Sequence, residues 1–116
     1  GLSNQLWNTP WPKVENGRGF LSSVMNLDPS SWSDALMHFL LDSTPASDAS
    51  LPDTGVGLDM ERLLSAPFVR MPKYAYGTRC STVVTVHRQG LLVATERSFH
   101  LNGKLSGETT LRGQVG

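Results

Sequence analysis

From Cys80 onward the chain has the pattern of a β-sheet, and of one that is apolar on both sides. Residues 80–87, Cys-Ser-Thr-Val-Val-Thr-Val-His, are dense in β-branched side chains, and Arg88-Gln89-Gly90 offers a three-residue hairpin loop whose glycine can take the left-handed conformation. Residues 91–100 return as a second strand. Asn102-Gly103 marks a tight turn, Ser106-Gly107 a bulge and residues 108–115 a third strand, which together predict an antiparallel meander. Side chains alternate along a strand, so Val84 and Val86 point one way and Val83 the other. In the second strand Leu91, Val93 and Phe99 oppose Leu92 and Ala94. A sheet that is apolar on both faces wants cover on both, and this demand limits the folds open to the rest of the chain.

The first half supplies helices for one side. Phe20, Leu21, Val24 and Met25 fall on one helical face, predicting a helix within residues 15–26 that starts late because Gly17 and Gly19 each cost about 1 kcal/mol in a helix interior. A second helix over residues 29–42 is better marked. Asp28 can cap it, Pro29 suits its first position, and Trp32, Ala35, Leu36, Phe39 and Leu40 recur at helical spacing. Residues 43–57, rich in Ser, Pro, Asp and Gly, read as a surface loop, and a short helical turn follows over residues 59–65. Two helices can shield one face of the meander, and the loops offer nothing for the other. The missing cover is expected from an upstream segment or from a second chain. The opening Gly1-Leu2-Ser3-Asn4, with no initiator methionine, carries the same expectation of an upstream part.

Charge narrows the partners. Ten basic and ten acidic residues cancel over 116, with no dense run of either sign, so the electrostatic footprint of a nucleic-acid or anionic-membrane binder is missing. No apolar run approaches the roughly 18–20 residues of a spanning helix. The single cysteine, Cys80, can form no internal disulfide and favours a reducing, cytoplasmic setting.

Four separated stretches then line up with a known family. Gly1-Leu2-Ser3-Asn4, Thr9-Pro10-Trp11-Pro12-Lys13-Val14, Tyr76-Gly77-Thr78-Arg79 with Ser81-Thr82, and Glu96-Arg97-Ser98-Phe99 resemble the C-terminal half of the NRDE family, also called the transport and Golgi organisation protein 2 family. The resemblance implies an α+β fold in which two helices and the three-stranded meander form part of an α-β-β-α sandwich like that of the N-terminal-nucleophile hydrolases. Residues 1–116 would be the C-terminal part of one such domain. It also implies a small-metabolite binding or trafficking protein, with haem among the candidate ligands, and family members at the Golgi or in mitochondria. The alternative it implies is an amide hydrolase or acyltransferase. Its cysteine nucleophile would lie upstream, because Cys80 sits inside a strand and lacks the free α-amino group that such enzymes use as a base.

Candidate binding residues follow from chemistry and resemblance together. In Tyr76-Gly77-Thr78-Arg79 the guanidinium can grip a carboxylate and the hydroxyl can donate. The same stretch also reads as a sheet corner, with Gly77 serving the backbone and Arg79 pairing Glu96 across strands. Ser3 and Asn4 are candidates for the same pocket, or ordinary turn residues. His38, His87 and His100 are too scattered for a metal site, and a thiol at Cys80 is expected to be inert. No cofactor is expected to be held by this chain alone.

Overall fold

The structure, a computed structural model, describes Leu6 and residues 9–116. Three α-helices precede the sheet: α1 (Pro12–Val24), α2 (Trp32–Phe39) and α3 (Leu58–Leu64). Helix α1 begins at Pro12, earlier than its glycines suggest. Proline biases its predecessor toward extended geometry, and Trp11 sits at φ −67°, ψ 145°, with its carbonyl accepting from the amides of Val14 and Glu15. The Trp11-Pro12 pair is therefore a helix start. Helix α2 passes α1 at this point: a Cβ at Gly17 would make an ordinary contact with the Phe39 ring at 3.7 Å, and Phe20 stacks on Phe39 with ring centres 4.7 Å apart.

Asp28 caps the second helical segment as its sequence predicts, accepting from the Ser30 amide at 2.9 Å. The first turn, Pro29–Ser31, is 3₁₀ and leads into α2; turn-type hydrogen bonds carry the chain on to Asp42. The Ser30 hydroxyl and amide hold the Asp28 carboxyl below the usual carboxylate range. A depressed folded-state value means the cap contributes fully above the unfolded value of 3.8, and that contribution fades as pH falls through the lower folded value. Asp28→Asn, which still accepts, should keep the Ser30 amide shift and lose its acid titration in NMR spectra, whereas Asp28→Ala should lose both.

The segment 43–57 is a loop with one 3₁₀ turn, Asp48–Ser50. It is tied down by side chains. Arg62 forks onto Asp48 through Nε (2.8 Å) and Nη2 (2.6 Å), and Ser65 Oγ accepts from the Ala46 amide. Between α3 and the main sheet, two short strands that the sequence does not announce, β1 (Arg70–Met71) and β2 (Tyr76–Gly77), pair antiparallel around a 3₁₀ turn at Pro72–Tyr74. Ala75 closes that turn in the left-handed region at φ 48°.

The meander is as expected: β3 (Cys80–Val86), β4 (Leu91–Phe99) and β5 (Leu105–Gln114), in the order β3-β4-β5. Gly90 takes φ +84° in the first hairpin and Gly103 φ +82° in the second. Strand β5 begins at Leu105 rather than residue 108, because Ser98 pairs Gly107 while Phe99 pairs Leu105, leaving Ser106 as the bulged residue.

Cover is less complete than the two helices promise. Helix α2 lies against β3 and α1 packs on α2, so Ser81 and Val83 are buried, whereas β5 is exposed along its whole length. On the opposite face the register places Val84, Ala94 and Leu111 side by side, with Val86 next to Leu92. Val84, Val86 and Leu111 are 55%, 58% and 65% exposed. The buried apolar residues sit at two places: Val24, Met37 and Val83 on the helix side, and Ala66, Phe68, Met71 and Phe99 where the chain enters the sheet. The radius of gyration is 15.6 Å, against about 13 Å for a compact domain of this length. That excess fits a sheet with one face and one edge strand left open.

Candidate functional site

Beside the sheet lies a half-open cleft of about 180 Å³, lined in part by Trp11, Lys13, Thr54, Glu61, Val69 and Tyr76. Each wall has a local cause. The Trp11-Pro12 helix start fixes Trp11 and Lys13, α3 presents Glu61, and the β1–β2 pairing holds Tyr76. Lys13 Nζ donates to the Leu64 carbonyl at 3.2 Å, near the end of α3, and lies 5.9 Å from the centre of the Trp11 ring. Glu61 is 5% exposed, and its Oε1 accepts from both the amide (2.7 Å) and the hydroxyl of Thr54.

The expected site residues are only partly brought together. Ser3 and Asn4 lie outside the described residues. Tyr76 lines the cleft, and Gly77 follows it in β2, where a Cβ would stand 2.8 Å from the Val69 carbonyl oxygen; glycine is there for close backbone approach. The Thr78 hydroxyl accepts from the Val69 amide at 2.9 Å and keeps its own proton to donate. Arg79 is exposed, and its carbonyl accepts from the Phe99 amide at 2.8 Å. The cross-strand pair between Arg79 and Glu96 does not form. Register sets Glu96 opposite Thr82, whose hydroxyl donates to it at 2.8 Å on the open face, and the charge pair across β4 and β5 is Arg97–Glu108 at 2.6 Å.

Trp11, Lys13 and Glu61 are functional candidates that the sequence reading passes over. Trp11 and Lys13 belong to one of the four family-like stretches, whereas Glu61 on a short helix carries no sequence signal. Cys80 is exposed at the start of β3 rather than packed among apolar neighbours. Among the described residues no group of His, Cys, Asp and Glu could hold a metal, and the three histidines are exposed on separate elements. These residues alone do not fit haem: no histidine lines the cleft, and its volume is below the roughly 300–1,000 Å³ of pockets for drug-sized ligands.

Fold and cleft together define an α+β protein whose antiparallel sheet is helix-covered over one strand and which carries a small polar-and-aromatic cleft beside it. No solved structure matches the chain significantly. The family model described as "Transport and Golgi organisation 2" matches residues 1–101, and the chain belongs to that family. It is 35% identical over 106 residues to the transport and Golgi organization protein 2 homolog of Homo sapiens, covering 85% of this chain and 38% of that protein. To the Bos taurus homolog it is 34% identical over 117 residues, covering 95% of this chain and 42% of the relative. The chain thus spans about two fifths of the length of these curated relatives. Among the described residues no helix is long and apolar enough to cross a membrane.

Proposed function

We propose that residues 1–116 are the C-terminal part of one family domain, in which the open face of the sheet is covered by the upstream part of the same polypeptide. The completed protein is then a cytoplasmic small-metabolite binding or trafficking protein, and its relatives' naming for transport and Golgi organisation supports placing it in that process. This chain supplies one pocket wall, with Tyr76, Gly77, Thr78 and Arg79 as its backbone-fixed part and Ser3, Asn4 and Glu96 as further candidates. Haem as a ligand rests on the family resemblance and would need surface from outside the described residues.

One observation carries this reading: the solvent-facing row of Val84, Val86 and Leu111 around Ala94 and Leu92. Fully burying each Val or Leu side chain is worth about 1.5–3 kcal/mol relative to exposure, so a covering layer has a large gain to collect. The test compares the 116-residue chain with the full gene product, using methyl NMR and a soluble paramagnetic agent. The Val84, Val86 and Leu111 methyls should be bleached in the short chain and protected in the long one; equal bleaching in both overturns the reading. Hydrolysis of amide or acyl substrates that depends on an upstream cysteine would favour the catalytic alternative.

A further inference from the structure

We propose that the cleft between α1, α3 and β2 binds a small zwitterion the size of a single amino acid, its amine on Glu61 and its carboxylate on Lys13. The inference deepens the reading of this chain as a pocket wall and names the ligand chemistry. Glu61 is 95% buried, and a buried carboxylate is costly unless its oxygens are matched by donors. Thr54 satisfies Oε1 twice, whereas Oε2 accepts from no described residue. Among the described residues no buried side-chain oxygen or nitrogen lacks a partner, so Oε2 reaches solvent, and Glu61 lines the cleft.

Lys13 is the complementary half. Of its three donors one goes to the Leu64 carbonyl, and no ion pair joins it to Glu61 although both line the cleft. Two opposite charges that share a small space without meeting leave a gap for a ligand with both signs. At about 180 Å³ the space holds roughly six water volumes at ~30 Å³ each, which suits a molecule of single-amino-acid size. Trp11 and Tyr76 add aromatic surface: the indole favours a cation over its face, and the phenol can donate to a carboxylate.

The test uses the full gene product and three probes that share an n-propyl tail: norvaline, n-butylamine and butyrate. Binding is followed at the Trp11 indole N–H cross-peak in ¹⁵N spectra. Norvaline should shift that peak saturably and bind about tenfold or more tighter than either single-charge probe. Glu61→Gln, which keeps an acceptor for Thr54, should weaken norvaline about tenfold and leave butyrate unchanged. Lys13→Gln should do the converse, weakening butyrate and norvaline and sparing n-butylamine. If norvaline binds no tighter than one of its halves, or if Glu61→Gln binds it as well as the parent, the zwitterion assignment is overturned. A well-dispersed spectrum with no shift for any probe overturns it as well. None of these outcomes bears on whether the sheet face is covered, which the methyl experiment reads separately.

Discussion

Phe99→Ala should lower the unfolding free energy by about 3–5 kcal/mol, measured by urea denaturation followed by circular dichroism. Phe99 is 4% exposed, and its ring meets that of Phe68 edge-on, with centres 4.9 Å apart at 85°. Its amide donates to the Arg79 carbonyl, so the residue joins the end of β4 to the stretch that leads out of β2. Deleting the ring opens a cavity in one of only two places where apolar side chains are buried among the described residues, and domains of this size have only about 5–15 kcal/mol in total. Should the alanine variant fail to fold, Phe99→Leu keeps part of the volume and should show a smaller loss in the same direction. A cycle with Phe68→Leu should return a coupling of about 0.5–1.5 kcal/mol for the edge-on pair. A loss under about 1 kcal/mol for the alanine variant would mean the ring does not hold the sheet entrance.

The second large effect depends on context. Val84→Lys in the 116-residue chain should change stability by no more than about 0.5 kcal/mol, since Val84 is 55% exposed there. In the full gene product the same substitution should cost about 3 kcal/mol or more, because a covered face would bury an unpaired ammonium. Leu111→Lys should follow the same pattern, Leu111 lying on the same row as Val84 through Ala94. Urea denaturation of both proteins measures the difference. Small, equal effects in the two would leave the sheet face wet in the whole protein and remove the argument for a covering layer.

Much of the architecture can be read from the residues because local rules govern it. The left-handed glycines at 90 and 103, the bulge at Ser106, the Asp28 cap and the apolar stripe of α2 all follow from neighbours within a few positions. The late start given to α1 was wrong for an instructive reason. The cost of the glycines was counted while the helix start at Trp11-Pro12, where the Trp11 carbonyl accepts from the Val14 and Glu15 amides, was not. The site fared less well. Tyr76 and Thr78 do stand at or beside the cleft, but Glu96 was paired with the wrong strand position, since register was not assigned.

What the sequence determined alone was the two-faced meander and the helices before it, because alternation, helical spacing and turn chemistry act over two to five residues. Only the tertiary structure decided which charges meet. Glu61 is drawn to Thr54 by a loop that Arg62 pins through Asp48, and Lys13 reaches Leu64 across 51 positions of chain. Such contacts depend on how distant segments close on one another, and no local pattern encodes that closure.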